Sequence, residues 1–117
     1  MKITLHLDDI IYQLQKGGGA SNYWREVTTR CTSNSIFNIR RTKGSKLTRF
    51  LPVPSTADLF HSSHFRIPLS TKTKHIATVY DFIYELGWLK TKGSALNIFQ
   101  RKQSINRADA IICISQN

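Results

Sequence analysis

Short apolar runs of strand type alternate with helical patterns along this chain, and this alternation restricts its fold more than any other feature. The strand-like runs cover residues 2–7, 35–40, 57–62, 75–82 and 108–115. Residues 20–32 and 92–107 instead repeat apolar side chains at helical spacing. Strands that alternate with helices form right-handed βαβ units on a parallel sheet. The sequence therefore predicts an α/β domain with a Rossmann-like parallel sheet and flanking helices.

Each helical segment carries an apolar stripe that is expected to face the sheet. The stripes consist of Tyr23, Trp24, Val27 and Cys31 in the first segment and of Leu96, Phe99 and Ile105 in the second. Ser21 or Asn22 is expected near the N-cap of the first helix, because both side chains can accept a backbone N–H bond. The run at 108–115 is expected to be a buried strand.

The length of 117 residues predicts one domain or part of one. No run of about 18 apolar residues occurs, so no membrane span is predicted. Cys31 and Cys113 lie far apart and are expected to be unpaired, buried thiols in a reducing compartment, which favours the cytoplasm. Because the chain stops just after a strand, residues 1–117 are expected to be the N-terminal portion of a longer α/β protein, incomplete at the C-terminus.

The chain is strongly basic. Seventeen Lys and Arg residues stand against seven Asp and Glu residues, which gives a formal net charge of +10. Such a balance favours anionic partners, whether nucleic acid, an acidic membrane surface or phosphorylated substrates. Charge alone does not choose among them, and many of these side chains can equally be solvated loop charges.

Three consecutive glycines, Gly17 to Gly19, precede the first predicted helix. A flexible surface loop is one interpretation. The other is an anion site, because backbone N–H groups at a helix N-terminus face a phosphate well when no side chain intervenes. A dinucleotide fingerprint does not fit, since Asn22 replaces its third glycine and the second strand ends in Arg40 and Arg41.

Polar residues follow several predicted strands, where ligands of open α/β sheets bind. Asp8 and Asp9 follow the first strand, as an acidic pair for chemistry or as polar caps of the next turn. His61 and His64 are three residues apart, but no third ligand is nearby and no metal site is predicted. Asp81 lies at the end of the fourth strand.

Four segments in order resemble the N-terminal domain of family 4 glycosyltransferases of the GT-B architecture, mannosyltransferase-like members included. They are LDDIIYQLQKGGGASNYWREV, DLFHSSHFRIP, ATVYDFIYEL and RADAIICISQN. The resemblance implies the acceptor-side domain of a retaining enzyme that moves a hexose, such as mannose, from a nucleotide-diphosphate sugar to a growing cell-surface glycan. It implies no cofactor. It also implies a donor-binding domain that is missing here, so that the fragment alone is inactive.

The resemblance further implies roles for individual residues. Gly17, Gly18 and Gly19 would contact the donor diphosphate, Tyr80 and Asp81 would be catalytic, and Asp9, His61, His64 and Arg66 would bind the acceptor. The family has His where this chain has Tyr80, which puts activity in question. The implied partners are a nucleotide-sugar donor and a glycan or lipid-linked glycan acceptor. The basic charge in turn suits peripheral attachment to an acidic membrane surface on the cytoplasmic side.

Two alternatives stay open at this point. A catalytically inactive interaction domain would explain Tyr80 and the missing half. A basic nucleic-acid-binding module would use the same charge, although the aromatic residues occupy core-like positions and do not alternate with Lys and Arg.

Overall fold

A computed structural model describes residues 2–15, 17–80 and 94–114. Within these ranges the strands are β1 (Ile3–Asp8), β2 (Phe37–Thr42), β3 (Leu59–Ser62), β4 (Lys74–Val79) and β5 (Ala110–Cys113). They form one sheet in the order β2-β1-β3-β4-β5, and every pairing is parallel. The predicted α/β fold with a parallel sheet is confirmed.

The helices are α1 (Ile11–Leu14), α2 (Gly19–Thr32) and α3 (Ser94–Arg107), with a 3₁₀ turn at Lys46–Thr48. The two longer helices lie where the sequence predicts them. The short α1 lies between β1 and the three glycines, where no helix was predicted. No helix among the described residues has the length and apolar character to cross a membrane.

The strand order has a switch point between β1 and β3. From β1 the chain moves to β2 on one side, and from β3 it moves to β4 on the other. This is the flavodoxin-like order 2-1-3-4-5 and differs from the order 3-2-1-4-5-6 of dinucleotide-binding sheets. Right-handed crossovers in opposite directions place α2 and α3 on opposite faces of the sheet.

The interior strand β1 is buried on both faces over Leu5–Asp8, as expected for a parallel strand between two neighbours. On the α2 face, a core cluster consists of Leu5, Leu7, Ile11 and Trp24. On the α3 face, the ring of Phe60 contacts the rings of His6 and His75, with centroids 5.3 and 6.0 Å apart. Trp24 is fully buried and Tyr23, Val27 and Cys31 are half-buried, so the predicted stripe of the first helix is confirmed.

The predicted stripe of the second helix is wrong. Leu96 and Phe99 are exposed, whereas α3 buries Gln100, Arg101 and Ser104. These polar side chains find partners inside the fold: Nε2 of Gln100 donates to the carbonyl oxygen of Arg49, Oγ of Ser104 lies 3.0 Å from Nε2 of His75, and the guanidinium of Arg101 lies over the ring of Phe65. A polar face whose side chains each have a partner can be buried, although single atoms such as Oε1 of Gln100 accept no hydrogen bond, and apolar periodicity does not detect such a face.

The predicted burial of the last strand is also wrong. All four residues of β5 are exposed, because this strand lies at the edge of the described sheet with β4 as its neighbour. Cys113 is therefore exposed and Cys31 is half-buried, and both are free thiols. The prediction that they are unpaired is confirmed, and the prediction that both are buried is not.

Candidate functional site

The candidate site is the switch-point crevice, the position at the carboxyl ends of β1 and β3 where open α/β sheets usually bind ligands. Asp8 ends β1, Ser62 ends β3, and Tyr80 directly follows β4. The loop that holds Gly17 to Gly19 leads into α2 above the same edge. The fold therefore brings most of the residues singled out in the sequence to the carboxyl ends of the parallel strands, which form one edge of the sheet.

The carboxylate of Asp8 is the centre of a buried polar network. Its Oδ1 accepts from Nη1 of Arg66 at 3.0 Å, and its Oδ2 accepts from Oγ of Ser62 at 2.8 Å. Both the backbone N–H and the hydroxyl of Ser63 donate to the Asp8 carbonyl oxygen, at 2.9 and 2.7 Å. Asp8 is fully buried, so this network joins β1 to β3 and does not itself reach a ligand.

Burial raises the pKa of the Asp8 carboxyl to about 6, and the Arg66 guanidinium and the Ser62 hydroxyl oppose that rise. Arg66 was predicted to bind an acceptor. It is buried instead, with Nη1 on Asp8 and Nε on the carbonyl oxygen of Leu51 at 3.1 Å. Its contacts are those of a structural cation.

Asp9 joins three elements. Its Oδ1 accepts from Nε1 of Trp24 at 2.7 Å, and its two oxygens accept a bidentate pair from Arg41, both bonds 2.8 Å long. The side chain thus ties β1 to α2 and to the end of β2. It does not cap the following turn, which was the simpler of the two interpretations of the acidic pair.

His61 and His64 point to different partners. Nε2 of His61 lies 2.6 Å from Oγ1 of Thr78, and its ring meets Trp24 edge-on with centroids 5.0 Å apart. Nε2 of His64 accepts from Arg49 at 3.3 Å. Burial lowers the pKa of His61 to about 4 and that of His64 to about 3, so both are neutral near pH 7. No group of three metal-binding side chains occurs in residues 2–15, 17–80 and 94–114.

The glycine turn differs from residue to residue. Gly18 is the N-cap of α2 with φ of 123°, a region that is nearly reserved for glycine, and an added Cβ would lie 2.9 Å from Oε1 of Gln15. Gly17 and Gly19 have ordinary φ values, and an added Cβ at either would meet nothing within 4 Å. Backbone geometry explains only Gly18.

The predicted N-cap at Ser21 or Asn22 is wrong, because α2 begins earlier. Ser21 is buried inside the helix, and its hydroxyl lies 3.2 Å from Oε1 of Gln15. The N-cap Gly18 offers no side-chain bond, and the first turn holds no acidic residue. The first N–H groups of a helix have no partner within it, so this end presents unneutralised positive dipole.

Tyrosines border the crevice beside this helix end. The hydroxyl of Tyr80 donates to the carbonyl oxygen of Ser63 at 3.0 Å, and its ring meets Tyr23 edge-on at 5.9 Å between centroids. Burial raises the pKa of Tyr80 well above its usual value. The Arg25 guanidinium lies 5.8 Å from the ring centroid of Tyr12. Asp81, the other predicted catalytic residue, lies outside the described residues.

Several residues of this edge were not identified from the sequence as site residues: Tyr23, Trp24, Arg41, Ser62 and Ser63. The two serines at the end of β3 were a usable signal, because small hydroxyl side chains there can bond to a neighbouring strand end. Nothing local to Arg41 indicates its bond to Asp9, which is 32 residues away.

No protein-family model matches this sequence, and no curated protein matches it. Among solved structures, the chain is similar to a response regulator CheY-like protein from Mesorhizobium loti. That match has 11% sequence identity and a TM-score of 0.49 and covers 100% of this chain and 90% of that one.

The prediction of a family 4 glycosyltransferase is wrong. Neither family models nor curated proteins connect the chain to glycosyl transfer. The further predictions that were made with it are wrong as well: the hexosyltransferase activity, the nucleotide-sugar donor, the glycan acceptor, the acidic membrane surface and the missing donor domain. The interaction-domain and nucleic-acid alternatives receive no specific support either. The catalytic roles of Tyr80 and Asp81, and the acceptor roles of Asp9, His61, His64 and Arg66, lose their basis.

Proposed function

We propose that this domain binds a phosphate-bearing small molecule at the switch-point crevice, with the phosphate on the Gly17–Gly19 turn and the first turn of α2. The observation that supports this most is the open space around Gly17 and Gly19. Neither glycine is required by its backbone angles or by a crowded neighbour. Close approach of a ligand to bare main chain is a physical reason for glycine at both positions.

The electrostatics of the crevice favour an anion. The two carboxylates at the end of β1 are neutralised, Asp8 by Arg66 and Asp9 by Arg41. Beside them lie an uncapped helix N-terminus and the exposed side chain of Arg25. Within the part of the chain that the structure describes, a phosphate on the turn therefore meets a positive helix end, and the two carboxylates that end β1 are both paired.

The rings of Tyr23 and Tyr80 supply a wall for the rest of the ligand. Tyr23 lies one helical turn after Gly19, and its edge contacts Tyr80. Both rings are half-buried, so each has an accessible part. Pockets that combine a few oriented polar groups with aromatic walls are typical small-molecule sites. A cytoplasmic location stays a prediction, with which this class of ligand is compatible.

Titration of the ¹⁵N-labelled chain with inorganic phosphate and with pyrophosphate tests the proposal by NMR. We expect the largest amide shift changes at residues 17–20 and a stronger response to pyrophosphate. Gly19→Ala should weaken binding about tenfold, the loss expected when one charge-assisted amide bond is obstructed. It should not unfold the protein, because the added methyl meets nothing within 4 Å.

Lys72→Gln is the matched control, because Lys72 is exposed just before β4, at the amino ends of the strands and away from the glycine turn. It borders a cavity of about 550 Å³ that is also lined by Ile3, Asp58 and Lys74. The substitution lowers the net charge by one without touching the turn. Equal affinity of the wild type and Gly19→Ala, or shift changes centred on Lys72 and Lys74, would refute a phosphate site on the glycine turn.

A further inference from the structure

The connection between β2 and β3 begins with a segment, residues 43–51, that exposes three large apolar side chains. Leu47 is 93% exposed, Leu51 is 56% exposed and Phe50 is 37% exposed. They fall within five residues of each other on and after the 3₁₀ turn at Lys46–Thr48. Single exposed apolar residues are ordinary on protein surfaces, but a cluster of this kind marks an interaction surface. We name it the 43–51 loop.

The 43–51 loop is anchored to the fold. Gly44 has φ of +69°, and a Cβ there would lie 2.7 Å from Cδ1 of Ile10 and 2.9 Å from Nη1 of Arg66. At the other end, Nε of Arg66 donates to the carbonyl oxygen of Leu51 at 3.1 Å. Ser45 and Thr48 close a reciprocal capping box on the turn between them. The apolar side chains are therefore presented in a defined arrangement.

The stretch of chain that contains the loop is basic. No acidic residue occurs from residue 27 to residue 57, and this stretch holds Arg30, Arg40, Arg41, Lys43, Lys46 and Arg49. Lys43 and Lys46 are exposed on the loop itself. The guanidinium of Arg49 lies 4.8 Å from the ring centroid of Phe50. Arginine and aromatic residues around an apolar centre are the composition of protein-binding hot spots.

We propose that the 43–51 loop is a docking surface for an acidic, amphipathic segment of a protein partner. Apolar side chains of that segment pack on Leu47, Phe50 and Leu51, and its carboxylates face Lys43 and Lys46. Charge complementarity selects the acidic partner and sets its orientation. The proposed surface uses none of the residues of the glycine turn and does not depend on a phosphate ligand there.

Two other anionic partners fit the loop less well. Insertion into a lipid surface needs an apolar tip free of polar cover, whereas the ring of Phe50 lies under the Arg49 guanidinium. Binding to single-stranded nucleic acid relies on aromatic rings that stack on bases, whereas the most exposed side chains of the loop are the leucines Leu47 and Leu51. A fixed arrangement of aliphatic side chains suits a peptide.

Selection from a phage-displayed random peptide library against the full 117-residue chain tests the proposal. We expect enriched peptides to combine Asp or Glu with Leu, Ile, Phe or Trp. Synthetic copies should lose at least tenfold in affinity for Leu47→Ser and for Lys46→Glu. Both changes lie at exposed positions, and unchanged melting temperatures will show that the variants fold. Lys72→Glu, at the amino ends of the strands, is the charge-matched control and should bind the peptides several-fold more tightly than Lys46→Glu does.

Vesicles of phosphatidylserine and phosphatidylcholine, and a single-stranded oligonucleotide, are tested with the same variants. The proposal is overturned if selected peptides are not acidic, or if they bind Leu47→Ser as tightly as the wild type. It is equally overturned if no peptide is enriched, or if the vesicles or the oligonucleotide bind in a Leu47-dependent manner more tightly than any peptide.

Discussion

Nη1 of Arg66 lies 3.0 Å from Oδ1 of Asp8, and the two side chains are 5% and 0% exposed. The pair joins the end of β1 to the segment after β3, across the switch point of the sheet. Its members are 58 residues apart in the chain. The pair holds together two parts of the fold that lie beside the proposed phosphate site.

Removal of one partner from this pair should strongly destabilise the protein. Asp8→Ala leaves the buried Arg66 guanidinium without its carboxylate, and we expect a loss of about 3–5 kcal/mol in the free energy of unfolding. Urea denaturation measures it. The control is Glu26→Ala, which breaks the exposed pair between Glu26 and Arg30 and should change stability by less than about 1 kcal/mol. Similar losses in both variants would contradict the structural role of Asp8.

Stability should fall between about pH 6.5 and pH 4. Burial lowers the pKa of His61 and His75 to about 4 and that of His64 to about 3, from an ordinary value of 6.5. In this window the unfolded chain binds protons that the folded chain does not, so acid favours unfolding. Each imidazole can account for up to about 3 kcal/mol, at 1.36 kcal/mol for each unit of pKa.

Asp8 acts in the opposite direction, because its pKa rises from 3.8 to about 6 on folding and its folded form takes up a proton first. Three imidazoles outweigh one carboxyl, so the net effect is acid unfolding. Urea midpoints measured from pH 7.5 to pH 4.5 test this. In His75→Gln the decrease should be smaller by about 1–3 kcal/mol, and an unchanged pH profile in that variant would show that His75 titrates normally.

Gly44 and Gly17 should respond differently to the same substitution. Gly44→Ala places a methyl against the fully buried Ile10 at a positive φ. We expect it to cost about 2–4 kcal/mol from backbone strain and overpacking. Gly17→Ala enters open space and should change the free energy of unfolding by less than about 1 kcal/mol. Thermal unfolding of the two variants decides the question, and equal melting temperatures would be the contrary result.

The two cysteines should react at different rates. Cys113 is exposed, whereas Cys31 is half-buried and burial raises the pKa of its thiol. The thiolate is the reactive form, so a thiol reagent such as Ellman's reagent at pH 8 should modify Cys113 first. We expect two kinetic phases in the wild type and loss of the fast phase in Cys113→Ser. Retention of a fast phase in that variant would place Cys31 at the surface.

The sequence alone determined where the five strands and the two longer helices form, to within a few residues. The β-branched runs at β1, β2 and β4 and the stripe around Trp24 are local patterns, because backbone sterics and side-chain periodicity act over a few residues. The three glycines at the start of α2 and the excess of Lys and Arg over Asp and Glu were likewise evident from the sequence. From these features the α/β class and the edge of the sheet that holds the candidate site could be predicted.

Only the tertiary structure decided which partners these residues have. The strand order, the Asp9–Arg41 bond and the burial of Gln100 and Ser104 depend on contacts between residues many positions apart. Apolar periodicity chose the wrong face of α3, because a polar side chain is buried wherever a distant partner satisfies it. The predicted family was wrong for the same reason, because the resemblance rested on short motifs. A motif specifies local geometry, whereas the contacts that surround a ligand come from the whole chain.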